Sequence, residues 1–465
     1  MIFPNAAAIL NSLSSPTRIA IVGGGFSGTM LALNLMQQPG VEVLLIERDQ
    51  PRLGGGVAYS TSDDTHLLNV RAANMSAYPD QPGHFNDWLA AHGMAGGAVF
   101  VTRATYGRYL RENLTAAVTK FGRRLSLVHD EVIDVEERHD GVTISLGCGD
   151  VIEADRVVLA VGNLPPHDPP GVDGPSLPPA LYTGDPWTGL CEEGLAADSE
   201  VLVIGTGLTA IDVILRLAAC GFAGPITALS RRGLRPHRHD PALPHPAKQL
   251  AKPAATLPGL VDWARQDARR RDWRQVVDSI RPITQMMWSG AIADERARFL
   301  RHLRPFWDIH RHRLAPAVAD QIDALVERGQ LRFVAGKVTS IDTVGTHLQV
   351  AWRPRGAHAA QRLQVARAIN CTGPQGDLLR ASDPLLRRLL VTGRIRADRH
   401  RLGLDIDRDC HVVAADGRAS LRLLAIGPMT RGDLWEVVAV PDIRIQVGAL
   451  ARKLANAHWI GGEGL

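Results

Sequence analysis

Two short glycine runs carry the clearest chemistry in this sequence. The first is Gly23-Gly24-Gly25-Phe26-Ser27-Gly28, behind an apolar β-branched run, Ile19-Ala20-Ile21-Val22, and ahead of a helical pattern. The second is Gly205-Thr206-Gly207-Leu208-Thr209-Ala210, between Val201-Leu202-Val203-Ile204 and the helical stretch Ile211 to Cys220. Both read as strand, Gly-x-Gly-x-x-Gly/Ala turn, helix. In that order the first glycine (Gly23, Gly205) makes the tight turn and the second (Gly25, Gly207) lets the backbone approach a pyrophosphate. The third position (Gly28, Ala210) lets helix and strand pack closely. The first N–H groups of each helix then face the phosphates. A second strand follows each turn. Val41 to Ile46 ends in Glu47, 24 residues beyond Gly23, where a carboxylate accepts hydrogen bonds from a ribose. Pro225 to Leu229 ends instead in Ser230-Arg231-Arg232-Gly233, and two guanidinium groups suit the 2′-phosphate of NADP. The first site therefore fits an unphosphorylated ribose, as in FAD or NAD. The second fits NADPH ahead of NADH.

The elements that must position these turns repeat one plan. Leu125 to Glu137, Val142 to Gly147 and Arg156 to Asn163 read as a three-stranded excursion followed by a buried strand. Leu331 to Pro374 repeats it as LRFVAGKVTSIDTV, HLQVAW and ARAINCTGP, and both copies end in glycine, Gly162 and Gly373. With 465 residues, two or three domains are natural. The expected fold is α/β: two Rossmann-like dinucleotide-binding domains, each with a three-stranded β excursion, plus a helical insertion. Residues 17–170 form the first part of an FAD-binding domain, with a Pro-rich linker from Leu164 to Pro179. Residues 198–375 form an NAD(P)H-binding domain, with the helical insertion at about 234–330. Residues 400–465 return to the first domain through the buried strand Leu421 to Ile426, Gly427-Pro428, and a closing helix, Ile443 to Ala457. Residues 1–16 read as a loose leader.

Composition narrows the function further. Net charge is only +4, and no basic block alternates with aromatics, so nucleic acid is not an expected partner. No apolar run reaches the ~20 residues that span a bilayer, and no Lys or Arg precedes the apolar part of the N-terminus. A cytoplasmic, non-membrane protein is expected. The five cysteines (Cys148, Cys191, Cys220, Cys371, Cys410) form no C-x-x-C pair, as in a reducing compartment. Two dinucleotide sites imply electron transfer from pyridine nucleotide to flavin. With no cysteine before residue 148, a dithiol–disulfide reductase is not expected. The remaining acceptors are O2 with a small organic substrate, a quinone or a protein. His237, His239 and His245, with His310 and His312, make no closed ligand set, so no metal is expected. His237, His239, Arg301 and Arg304 are candidates to orient an anionic or heteroaromatic substrate. Trp288, Trp307 and Trp435 are candidates for an apolar cover that excludes water. No single catalytic acid or base stands out.

Further motifs carry a resemblance: GGGFSG at Gly23, GGGVAYST at Gly54, HLLNV at His66, HFNDWL at His84 and RGDLWE at Arg431. From Arg18 to Ala457 the sequence resembles the two-dinucleotide-binding-domain flavoproteins, which include N-hydroxylating and Baeyer–Villiger monooxygenases. More closely it resembles a bacterial FAD/NAD(P)-binding family that includes a flavin-dependent urate hydroxylase. The resemblance implies that Gly23, Gly25, Gly28 and Glu47 hold the ADP half of FAD, with Gly55, Gly56 and Asn69 nearer the flavin and Gly427 closing over it. It implies that Gly205, Gly207, Ala210, Arg231 and Arg232 hold NADPH or NADH. The activity it implies is hydroxylation of a small substrate by O2 through a C4a-(hydro)peroxyflavin. Urate is the specific candidate; N-hydroxylation of an amine or amino acid, or electron transfer to a partner, is the alternative. Pro428 stands directly after Gly427, where many such flavoproteins have an Asp, so Asp433 or backbone N–H groups are left to make that contact.

Overall fold

The computed structural model describes residues 16–455 except 62, 98, 190–191 and 241–255. His245, Cys191, almost all of the expected leader and the last residues of the expected closing helix lie outside the described residues.

The apolar runs flanking the first glycine turn are parallel strands. β1 (Thr17–Val22) pairs with β2 (Val41–Ile46), and Ile21 sits opposite Leu45. β3 (Leu125–Val128) continues this sheet beside β2. The segment LSLV thus belongs to the main sheet, and the excursion begins one strand later. It consists of β4 (Val132–Glu137), β5 (Val142–Leu146) and β6 (Val151–Ala154), an antiparallel sheet of three. β7 (Arg156–Leu159) returns to the main sheet beside β1. Strands covered on both faces read as continuous Val/Ile/Leu runs, which is why these segments do not alternate.

The second unit follows the same logic. β8 (Tyr182–Thr183) lies at one edge of its sheet. β9 (Val201–Ile204) leads into the second glycine turn, and β10 (Ile226–Ser230) lies parallel to it. β11 (Leu331–Val344) is a single 14-residue strand. Its first part pairs in parallel with β10, and its second part pairs antiparallel with β12 (His347–Pro354), which pairs with β13 (Gln361–Val365). β14 (Arg367–Asn370) closes back beside β9. The two excursions therefore differ: the first is a separate sheet, whereas the second grows out of a main strand.

Between β10 and β11 lie helices Leu257–Asp267, Trp273–Ile280, Thr284–Gly290, Ala293–Arg298 and Arg304–Arg311. The next helix, Pro316–Glu327, packs Val318, Ala319, Ile322 and Leu325 into the core of the second unit with β9 and β10.

The chain then returns. Helix Pro384–Val391 buries Leu385, Leu386 and Leu389 in the first core. β15 (His411–Val413) and β16 (Ala419–Ala425) complete the first sheet, whose order is β15-β16-β7-β1-β2-β3. Helix Val440–Leu454 packs against helix Phe26–Leu35 over that sheet. Among the described residues no helix is long and apolar enough to cross a membrane.

Candidate active site

Each glycine turn is held by contacts a side chain could not share. Gly23 has φ +103°, and a Cβ there would lie 2.5 Å from the Ala160 carbonyl oxygen. Gly205 has φ +130°, and its Cβ would lie 2.2 Å from the Cys371 oxygen. At the third position a Cβ on Gly28 would meet the Gly23 oxygen at 1.9 Å, whereas Ala210 is accommodated and fully buried.

The helices that follow, Phe26–Leu35 and Leu208–Ala219, have no side-chain cap at Gly25 or Gly207 and no acid in the first turn. Their leading N–H groups are thus available to an anion. Glu47 is pinned at the rim of the first turn, accepting from the Gly24 N–H at 2.8 Å and the Asp49 N–H at 2.9 Å.

The run Gly54–Gly56 folds back onto this turn. Gly54 N–H donates to the Gly24 oxygen at 2.9 Å, and a Cβ on Gly25 would lie 3.2 Å from the Gly56 Cα. Gly55 and Gly56 lead into the short helix Gly56–Tyr59. Gly427, with φ +79°, donates to Gln446 Oε1 at 2.8 Å, and its Cβ would meet Ser27 Oγ at 2.5 Å. The end of β16 therefore abuts the start of the first helix. Asp433 accepts from the Ile406 N–H at 3.2 Å, and burial pushes its carboxyl up to about 6.

A cleft of about 1110 Å³ opens between the two units. Gly205, Gly207 and Arg231 line it from the second turn, and Tyr59, Asn69 and Arg103 from the first unit. Arg304, Asp308 and His312 line it from the helical insertion, and Arg431, Trp435 and Glu436 from the return segment.

The sequence candidates divide here. Arg231 faces the cleft, whereas the Arg232 guanidinium lies over the Phe306 ring at 5.0 Å. Arg304 faces the cleft; Arg301 is exposed and does not line it. His239 Nε2 contacts the Asn69 carbonyl at 3.0 Å, and burial lowers its pKa to about 4, so the imidazole is neutral and donates. His237 packs between Trp273 and His310, with ring centroids 4.9 and 4.6 Å away, and does not line the cleft. Trp288 and Trp435 stack at 4.6 Å and are 3 % and 6 % exposed. Trp307 donates to Glu436 Oε1 at 2.7 Å.

Sequence reading missed the charges inside the cleft. Asp308 lies one helical turn after Arg304, with Oδ2 3.4 Å from its Nε. Its side chain is 41 % accessible, but that surface is cleft wall, surrounded by protein, and desolvation pushes the carboxyl up to about 6. Burial lowers Arg431 to about 10 and His312 to about 4, leaving His312 neutral. Glu436 is buried at φ +72°, a conformation costly for a residue other than glycine. Its Oε2 lies 3.1 Å from Arg311 Nε. The signal that could have found Glu436 was its motif, RGDLWE; Asp308 had only its i, i+4 spacing to Arg304.

The Asp308 shift has a consequence for stability. Between the ordinary carboxylate range and about 6 the folded state binds more protons than the unfolded state, so stability falls as pH rises through that window. Asp308→Asn removes this loss. We expect a melting temperature above wild type at pH 8 and no difference at pH 4, measured by calorimetry.

Comparison with known proteins agrees with this geometry. Residues 20–164 match a family model described as FAD-NAD(P)-binding. No curated protein matches the sequence. Among solved structures, ornithine N-hydroxylase from Kutzneria sp. 744 is similar with a TM-score of 0.66 and 15 % identity, over 96 % of this chain and all of that one. L-lysine 6-monooxygenase from Pseudomonas syringae gives 0.64 and 17 %, over 96 % of this chain and all of that one. The cadaverine monooxygenase of desferrioxamine biosynthesis from Erwinia amylovora gives 0.65 and 13 %, over 95 % of this chain and 94 % of that one. The chain thus has the fold of the two-dinucleotide-domain flavoproteins, with Rossmann-like domains of the FAD/NAD(P) type.

Proposed function

We propose that this protein is an FAD-dependent monooxygenase that oxidises NADPH and N-hydroxylates a small amine with O2. The observation that carries the reading is one cleft onto which the second glycine turn opens and into which Asp308 and Glu436 bring carboxylates. The site fits both cofactors. Two uncapped helix N-termini with glycines at their close-approach positions suit two pyrophosphates. Gly23, Gly25, Gly28 and Glu47 would hold the ADP half of FAD, with Gly55, Gly56, Asn69 and Gly427 toward the flavin. Gly205, Gly207, Ala210 and Arg231 would hold NADPH.

Bound flavin, reduced by the nicotinamide, supplies the activation of O2. The chain's own residues do the rest. Asp308 orients an ammonium group at the cleft wall, beside Glu436, whose oxygens are held by Trp307 and Arg311. An Asp308 carboxyl poised near 6 takes the proton of the entering ammonium, which leaves the amine neutral and nucleophilic. The Trp288–Trp435 pair keeps bulk water from the cleft. The solved neighbours named above act on ornithine, lysine and cadaverine. The cleft wall carries more cations than acids, so the choice of an amine over urate rests on these neighbours.

The test is NADPH oxidation by the purified flavoprotein under air, with a panel of amines and with urate, assaying hydroxylated product and peroxide. Stimulation by an amine with matching hydroxylamine product supports the reading; stimulation by urate alone, or by nothing in the panel, rejects it. A second test separates the two arginines. Arg231→Ala should raise KM for NADPH by about 10- to 100-fold, the effect of losing a charge-assisted phosphate contact, with KM for NADH unchanged. Arg232→Ala, on the Phe306 ring, should leave the NADPH/NADH ratio as in wild type.

A further inference from the structure

The helical insertion walls a second, apolar chamber of about 430 Å³, partly open to solvent and distinct from the cleft. Leu260, Val261, Val277 and Met287 line it together with Phe299 and Trp307. Thr284 and His310 on its wall have their polar atoms satisfied within the protein. Thr284 Oγ1 donates to the Ile280 oxygen at 3.1 Å, and His310 Nδ1 contacts the Phe306 oxygen at 2.7 Å. Arg265 reaches it only from the rim, with its side chain 72 % exposed. Helix Leu257–Asp267 turns apolar residues toward this space and buries none of them fully. Leaving these apolar side chains against water is unfavourable until an apolar ligand covers them.

The chamber lies across one helix from the cleft. On Arg304–Arg311, Arg304, Asp308 and Ile309 face the cleft, while Phe306, Trp307 and His310 face the chamber. Trp435 lines both spaces, and its buried indole N–H has no acceptor.

We propose that this chamber is a binding site for an apolar chain or ring carrying one hydrogen-bond acceptor. Its volume falls in the range of small-molecule sites. The ligand is either the tail of the substrate itself or a separate apolar molecule whose occupancy the shared helix and Trp435 transmit to the cleft. The site stands on its own lining and does not depend on amine hydroxylation.

The experiment is calorimetric titration of the flavin-loaded protein with 1-octanol, repeated on Ala264→Trp and Val277→Trp, which fill the chamber from two different helices. Saturable one-to-one binding, weakened at least about tenfold in both variants while flavin content and basal NADPH oxidation stay unchanged, is the expected result. Absence of saturable binding to wild type, or equal binding to both variants, overturns the proposal. Turnover then separates the two sources. A lower KM for octylamine than for propylamine, lost in Ala264→Trp, identifies the substrate's own tail. Octanol that alters propylamine turnover without competing identifies a separate ligand. If no amine is turned over, the octanol titration still decides the site.

Discussion

Gly207→Val should give a protein that folds, retains flavin and no longer uses NADPH. Glycines in such turns usually fail on substitution for a steric reason that has nothing to do with the ligand. Gly205 is of that kind, since its Cβ would sit 2.2 Å from the Cys371 oxygen. Gly207 is different. Its φ of −81° is open to any residue, and an added Cβ meets no atom within 4 Å. A valine there costs the fold little and projects into the space before the uncapped helix. If that space is the pyrophosphate site, KM for NADPH rises by about 100-fold or more, roughly 2.7 kcal/mol. Circular dichroism and flavin absorbance should match wild type. Flavin reduction by NADPH, followed in a stopped-flow instrument, reports the loss. Wild-type reduction kinetics in this variant would remove the nicotinamide nucleotide from the second turn.

Trp435→Ala should have the other large effect, on both stability and coupling. Trp435 stacks on Trp288 at 4.6 Å and meets Phe299 edge-on at 5.5 Å. Truncating so buried an aromatic costs about 3–5 kcal/mol. It also removes the shared wall of the cleft and the apolar chamber and lets water into the cleft. Under the proposed function, the variant oxidises NADPH but releases peroxide in place of hydroxylated product. Trp435→Phe keeps an aromatic wall and should recover most of the coupling. Full coupling in Trp435→Ala would show that this wall does not protect the reaction.

The parts of the molecule that were legible in the sequence are those built from local pattern. Both strand–turn–helix units could be read because Gly23, Gly28 and Gly205 answer a steric demand within a few residues or against a neighbouring strand. The repeated excursions were readable because buried and half-buried strands pattern differently. Other features depend on contacts remote in sequence. Leu125–Val128 joins the main sheet because β2 lies beside it, which its apolar run alone does not specify. Arg231 and Arg232 are adjacent in sequence, yet Phe306, from the insertion, takes the second of them. Asp308 and Glu436 come to one cleft from segments over a hundred residues apart, so their pairing has no sequence signature. The apolar chamber was equally hidden, since the residues lining a cavity read like those filling a core.

The position of β16 in the first sheet bears on how the protein is made. β7 takes its neighbour from residues 419–425, synthesised about 260 residues after it. On the ribosome, every strand of the second sheet, residues 182–370, emerges before the first sheet can close. The nascent chain thus carries an open, apolar strand edge through most of its synthesis, the kind of edge that recruits wrong partners. The first of the two units to be translated is therefore the last to be finished.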